Sequence, residues 1–184
     1  MDLSGTWTLA SVDGKHRAAM QVPGDAHSAL IAANVIPHPY KGRNEYDVRW
    51  VAEGEWTLER SFDWDGPEGS WYLDIDYLDT VAEVFVNGES VLKAANCFRR
   101  YHPDVSKHLR KGQNSIVIRF ASNIAEAAKL QTQQPFFVPY SHTNSPIPHG
   151  NMLRKPACHF GWDWNLAIAP FGLYGRIELK HFEQ

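Results

Sequence analysis

The chain has 184 residues, of which 43% are hydrophobic and 21% are charged. This length fits one domain, or at most two small ones, and the composition excludes intrinsic disorder as the main state. Eighteen basic against 21 acidic side chains give a formal net charge of −3, which excludes the strongly basic balance typical of nucleic-acid-binding proteins. The 7 Trp, 7 Tyr and 9 Phe residues raise the question of whether these rings only fill a core or also contact a ligand.

The first third of the chain predicts one strand, one short helix and one loop. Residues 6–12 alternate between apolar and polar side chains, as a half-buried strand does. Asp25 is a candidate N-cap for a helix that ends near Ala33. Residues 35–44 are rich in proline and glycine and are therefore expected to form a loop.

Strand patterns dominate the rest of the chain. Residues 56–62 and 71–77 alternate in the same way, and Asn87-Gly88 between two apolar runs is the strongest short-range indication of a β-hairpin. Residues 115–120 predict a further strand, and residues 175–182 predict the last one. Seven or eight short strands with little helix indicate an all-β antiparallel sandwich.

A second short helix and a long connection precede the last strand. Ser122 is a candidate N-cap for a helix that reaches about Gln131, with Ile124, Ala127 and Ala128 on its inward face. The segment from residue 133 to residue 164 is too long for an ordinary connection, and its many aromatic and charged residues argue against disorder. We therefore expect this segment to carry the function.

Carboxyl groups are the first candidates for chemistry, because glycoside hydrolysis needs two of them on opposite sides of the scissile bond. Asp74 and Asp76 lie on the polar face of one predicted strand and are expected to be solvated, as are Glu53, Glu55 and Glu59. The sequence around these positions does not indicate the enclosed surroundings that shift a catalytic pKa.

Histidine and cysteine residues are grouped without a recognised pattern. His142, His149, Cys158 and His159 match no zinc spacing, and Cys158-His159 alone is a weak indication of a nucleophile. We expect neither a metal nor another cofactor. Because the N-terminus lacks the pattern of a secretory signal, we expect Cys97 and Cys158 to be reduced thiols of a cytoplasmic protein without a membrane span.

The most informative cluster is Trp162-Asp163-Trp164, directly after Gly161. On a strand the two rings would share one face and Asp163 would point to the other. Either ring could belong to the core, and for Trp164 we favour that interpretation. A carboxylate that accepts sugar hydroxyls, beside a ring stacked on the sugar, would explain the acid at this position, so the motif indicates carbohydrate binding.

Several motifs follow one another in an order typical of one enzyme family. They are Leu3-Ser4-Gly5-Thr6-Trp7, Val22-Pro23-Gly24-Asp25-Ala26-His27, Pro39-Tyr40-Lys41-Gly42-Arg43-Asn44-Glu45, Leu78-Asp79-Thr80-Val81-Ala82, Val86-Asn87-Gly88, Asn96-Cys97-Phe98-Arg99-Arg100-Tyr101, Arg154-Lys155-Pro156 and His159-Phe160-Gly161-Trp162-Asp163-Trp164. Together they resemble the opening of the β-mannosidases of glycoside hydrolase family 2, over essentially the whole chain.

The resemblance implies that residues 1–184 are a single unit, the N-terminal sugar-binding domain of a retaining exo-β-mannosidase, with a galactose-binding-like jelly-roll sandwich and one or two short helices. In that family the two catalytic glutamates lie on a later TIM barrel, so this chain would hold no catalytic residue and be inactive alone. Its partners would be terminal β-mannose and the downstream domains of its own polypeptide, with no nucleic acid or membrane. Two alternatives are a stand-alone carbohydrate-binding module or lectin and a purely structural interaction domain.

The same resemblance assigns roles within the long segment. It implies that Asp163 binds mannose hydroxyls and that Trp162 forms a wall of the pocket. Arg154, His159 and Trp164 are expected to support the loop. Asn165 stands where the family pattern has glycine, which puts the geometry of the loop in question.

Overall fold

A computed structural model describes residues 1–182, and over these residues the chain forms thirteen strands and four α-helices. In chain order the elements are β1 (Gly5–Ser11), β2 (Arg17–Val22), β3 (Gly24–Asp25), α1 (Ala26–Ala32), α2 (Asn44–Asp47), α3 (Trp50–Glu53), β4 (Trp56–Trp64), β5 (Ser70–Ile75), β6 (Leu78–Asp79), β7 (Ala82–Val86), β8 (Glu89–Ala94), β9 (Gly112–Phe120), α4 (Asn123–Thr132), β10 (Phe160–Trp162), β11 (Asn165–Ala167), β12 (Gly172–Leu173) and β13 (Ile177–Phe182). Two single turns of 3₁₀ helix, Gly150–Met152 and Ala157–His159, interrupt the long segment before β10.

Six strands form the main sheet in the order β2-β1-β4-β9-β7-β8, and each neighbouring pair is antiparallel. The pairing of β4 with β9 runs from Trp56 opposite Phe120 to Trp64 opposite Gly112. Trp56 and Leu58 are buried whereas Thr57 between them is partly exposed, as the period of two in a strand requires.

Shorter sheets cover one face of the main sheet. β5 pairs with β13, and β12 lies between β3 and β6. One apolar cluster joins the two layers, since it contains Leu9 and Leu58 of the main sheet together with Leu73 of β5, Leu173 of β12 and Leu179 of β13. The predicted all-β antiparallel sandwich is therefore confirmed.

The turn and the helix caps that were predicted from neighbouring residues agree with the structure. Asn87 and Gly88 both have positive φ, at 51° and 88°, as the tight turn between β7 and β8 requires. Asp25 caps α1 by accepting from the Ser28 amide at 2.9 Å, and Ser122 caps α4 by accepting from the Ala125 amide at 3.1 Å.

The helices differ from expectation in two respects. Helices α2 and α3 have only four residues each, which is too short for an apolar periodicity to reveal them. Along α4, Ala127 is buried as predicted, but Ala128 is exposed and Asn123 is buried instead. The inward face of α4 is therefore rotated away from Ala128.

Asp74 is not on the surface, and that prediction was wrong. Its side chain is 4% exposed and contacts Arg100, Lys180 and His102, which come from distant parts of the sequence. Burial alone would raise the pKa of Asp74, but hydrogen bonds from Arg100 and Lys180 outweigh it and hold the pKa at about 2. Arg100 and Lys180 thus neutralise a carboxylate that the fold shields from water.

The long segment that ends in β10 and β11 builds a second, smaller apolar cluster. Its buried members come from α3, α4 and this segment, and they are Ala52, Ala127, Ile147, Leu153, Phe160, Ala167 and Ala169. Gly150 packs directly against the Phe160 ring, since a Cβ at position 150 would lie 2.2 Å from Cγ of Phe160. The second cluster therefore fixes the base of the hairpin formed by β10 and β11.

Candidate functional site

The Trp-Asp-Trp motif lies at the tip of a hairpin. Trp162 of β10 pairs with Asn165 of β11, and Asp163 and Trp164 form the two-residue turn between them. Trp162 is 42% exposed, Trp164 is 70% exposed, and Asp163 is also exposed. The prediction that Trp164 belongs to the core was wrong, because a residue in a tight turn projects beyond the strands. The strand alternation expected for Asp163 does not apply at this turn either.

The hairpin combines a buried base with an exposed tip. Phe160 and Ala167, which face each other across the strands, are each 1% exposed and belong to the second apolar cluster. At the tip, the Asp163 carboxylate can accept several hydrogen bonds, and the two indole rings offer apolar faces with one N–H donor each. This arrangement can contact one side of a polar, ring-shaped ligand such as a sugar.

A buried ion pair lies next to the start and the end of the hairpin. Nζ of Lys155 is 3.2 Å from Oδ2 of Asp79, and both side chains are fully buried. The same ammonium group donates to the carbonyl of Pro170 at 2.6 Å. Burial lowers the pKa of Lys155, and the negative charge of Asp79 opposes this shift. Lys155 thereby connects β6 to the chain that leaves the hairpin.

His159 and Arg154, both expected to support the loop, lie in different surroundings. Nδ1 of His159 is 3.3 Å from the carboxylate of Asp79. The main-chain carbonyl of His159 accepts from the Ala169 amide at 2.7 Å. The Arg154 residue is exposed, and its contact runs through the main chain, where its carbonyl accepts from the Cys97 amide at 3.0 Å. His159 is therefore beneath the hairpin, whereas Arg154 is joined to the segment near Cys97.

Buried titratable groups surround the ion pair. Burial lowers the pKa of His27 to about 4, with a further lowering from the charge of Lys155 and an opposing effect of Asp25. Burial and the charge of Asp79 raise the pKa of Cys97 to about 12, so this thiol stays protonated and unreactive. Neither Cys97 nor Cys158 forms a disulfide.

Lys155 and Asp79 were not predicted as site residues, although both lie in motifs that carried the family resemblance. They are 76 positions apart, so their contact is invisible to any local pattern. A charged residue directly after a buried apolar one, as in Leu78-Asp79, was the available signal.

Among residues 1–182, no three His, Cys, Asp or Glu side chains come together in a way that could hold a metal ion. None of the helices in the same range has the length and apolar character needed to cross a membrane.

A groove of about 710 Å³ on the outer face of the main sheet, lined by residues such as Arg17 and Glu59, shares no residue with the hairpin.

Comparison with known proteins places these features in a family. Residues 7–175 match the model of the family described as glycosyl hydrolase 2 galactose-binding domain-like. The chain is 33% identical to a probable β-mannosidase of Caenorhabditis elegans, over 98% of the chain and 21% of that protein. It is 36% identical to β-mannosidase A of Emericella nidulans, over 90% of the chain and 18% of that protein.

A solved structure gives the same result for the fold. The crystal structure of a β-D-mannosidase from Dictyoglomus thermophilum superposes with a TM-score of 0.89 at 27% identity, over 99% of the chain and 22% of that structure. The chain thus spans about one fifth of the length of the relatives that it matches. The predicted resemblance is confirmed, and the chain belongs to the glycosyl hydrolase 2 galactose-binding domain-like family.

Proposed function

We propose that residues 1–184 are the N-terminal domain of a retaining exo-β-mannosidase and form one wall of the pocket for a terminal β-mannose. The exposed Trp162-Asp163 pair on a hairpin with a buried base carries this proposal. Similarity to β-mannosidases along nearly the whole chain, but along only a fifth of their length, supports it.

In this function Asp163 accepts hydrogen bonds from mannose hydroxyls, and the ring of Trp162 packs against the sugar. Such a tip touches a ligand from one side only. The family resemblance implies that the remaining walls and both catalytic carboxyl groups come from other domains of the same polypeptide. The chain by itself therefore hydrolyses nothing. Its partners are terminal β-mannose and those domains.

An assay with an aryl β-mannoside tests the proposal. The longer polypeptide that carries this chain is expected to hydrolyse the substrate, and the 184-residue chain alone is expected to be inactive. In the longer protein, Asp163→Ala is expected to lower kcat/KM by about 10- to 100-fold, which corresponds to losing one or two charge-assisted hydrogen bonds. Asp65→Ala, at an exposed carboxylate that pairs with Lys111, is the matched control and should leave kcat/KM unchanged.

Two results would favour the alternatives. Binding of mannose or short manno-oligosaccharides by the chain alone, measured by isothermal titration, would make it a stand-alone carbohydrate-binding module. Unchanged hydrolysis by the Asp163→Ala variant would make it a structural domain. Hydrolysis by the 184 residues alone would contradict the proposal directly.

We also propose a cytoplasmic location. Cys97 and Cys158 are both free, which supports this location because cysteines of secreted domains are commonly paired in disulfides. Cell fractionation with an antibody against the chain tests the location, and recovery in the secreted fraction would overturn it.

A further inference from the structure

We propose that Glu45 and Arg49 are positioning residues that hold the hairpin tip in place for the sugar. The proposal rests on the function proposed above, because it assigns to these two residues the geometry of Trp162 and Asp163. Glu45 lies in α2, and Arg49 lies just before α3, outside the long segment that contains the hairpin. Neither residue contacts the tip itself.

Both side chains bind the main chain of one residue, Ala167. Oε1 of Glu45 accepts from the Ala167 amide at 3.0 Å, and Nε of Arg49 donates to the Ala167 carbonyl, also at 3.0 Å. The same Glu45 oxygen accepts from Nη2 of Arg49 at 3.0 Å. Glu45, Arg49 and Ala167 therefore form a closed triangle of hydrogen bonds, which we call the Ala167 clamp.

The clamp is shielded from water and held in shape. The side chains of Glu45 and Arg49 are 23% and 22% exposed, and Ala167 is 1% exposed. The guanidinium carbon of Arg49 lies 4.7 Å from the centre of the Tyr46 ring. Arg49 uses Nε and Nη2 at once, and the planar guanidinium holds these two donors in a fixed geometry that a lysine ammonium does not reproduce.

From Ala167 the restraint extends towards the turn. Asn165, two residues before Ala167, accepts from the Tyr40 hydroxyl at 3.1 Å and donates to the Cys158 carbonyl at 2.8 Å. Asn165, which stands where the family resemblance predicts glycine, thus has a side-chain amide that connects β11 to Tyr40 and to Cys158. Trp164, the residue immediately before Asn165, already belongs to the turn. A shift of β11 would therefore move the turn as well.

Double-mutant kinetics distinguish positioning from simple stabilisation. In the longer polypeptide, Glu45→Ala is expected to lower kcat/KM for an aryl β-mannoside by about tenfold at a temperature where the variant is fully folded. Glu45→Gln keeps an acceptor for the Ala167 amide and should stay within about threefold of the wild type. In an Asp163→Ala background, Glu45→Ala should lower kcat/KM by clearly less than tenfold, because only Trp162 is then left for the clamp to position.

Glu126→Ala is the matched control. Glu126 forms a helical ion pair with Lys129, and its side chain is 24% exposed, close to the value for Glu45. We expect this variant to keep the wild-type kcat/KM. Equal effects of Glu45→Ala and Glu126→Ala, or a full additional tenfold loss in the Asp163→Ala background, would overturn the proposal.

Amide exchange in the 184-residue chain provides a readout that does not depend on activity. Exchange of the Ala167 amide is expected to accelerate about tenfold or more in Glu45→Ala and to stay slow in Glu126→Ala. Unchanged exchange in Glu45→Ala would refute the clamp whatever the enzyme does. A longer wild-type protein without β-mannosidase activity, combined with accelerated exchange, would instead contradict the proposed function and leave the clamp as a structural feature.

Discussion

Lys155 and Asp79 form a salt bridge of 3.2 Å in which both side chains are completely shielded from solvent. A buried pair of this kind contributes little net stability compared with apolar residues, but removing one partner leaves an uncompensated charge. The pair also lies where β6 meets the chain leaving the hairpin, so its loss affects the site and the fold together.

Replacement of Lys155 by methionine should therefore be strongly destabilising. We expect Lys155→Met to lower the free energy of unfolding by about 3–5 kcal/mol, measured by urea denaturation. Lys111→Met removes the exposed partner of Asp65 and should change it by less than about 1 kcal/mol. If the double variant Lys155→Met/Asp79→Leu is no more stable than Lys155→Met, the unpaired charge is not the cause.

The sequence alone predicts those features of this fold whose causes are local. The cap at Asp25 and the turn at Asn87-Gly88 depend on neighbours within three residues, and both were predicted correctly. Asp74 was misplaced because its partners Arg100 and Lys180 are 26 and 106 positions away.

The candidate site shows the same limit. Alternation of apolar and polar residues cannot distinguish a strand from a two-residue turn, and this is why Trp164 was assigned to the core. Resemblance to a family drew attention to the Trp162-Asp163 pair, but it could not reveal that Glu45 binds Ala167, 122 positions away. Contacts of this length become visible only in three dimensions.

Asp74 should make stability depend on pH in strongly acidic solution. Because its pKa is about 2 in the folded chain and about 4 when unfolded, the unfolded state binds the proton first as the pH falls. The carboxylate thus contributes about 2 kcal/mol above pH 4, and this contribution is lost between about pH 4 and pH 2. Urea denaturation of Asp74→Asn should show a shallower loss in that range, whereas Asp65→Asn should follow the wild type.

His27 should make stability depend on pH in a higher pH range than Asp74 does. Its pKa is about 4 in the folded chain and about 6.5 when unfolded, so the neutral ring favours folding above pH 6.5. As the pH falls from about 6.5 to 4, the unfolded state takes up a proton that the folded state does not, and stability decreases. His27→Gln is expected to flatten this decrease, and the exposed His38→Gln is expected to keep it. An unchanged slope for His27→Gln would mean that the pKa of this ring is the same in the folded and unfolded states.

The close packing of Gly150 against Phe160 gives a prediction that connects the second apolar cluster to the hairpin. An alanine Cβ at position 150 would overlap Cγ of the Phe160 ring, so the ring and β10 must shift. We expect Gly150→Ala to lower the free energy of unfolding by about 1–3 kcal/mol, as overpacked cores do. Replacing the ring with a smaller side chain should relieve the overlap. The double variant Gly150→Ala/Phe160→Leu should therefore lose less free energy of unfolding than the two single variants lose in sum. Urea denaturation measures all three losses. Strictly additive losses would mean that contact with the Phe160 ring is not the reason why position 150 is glycine.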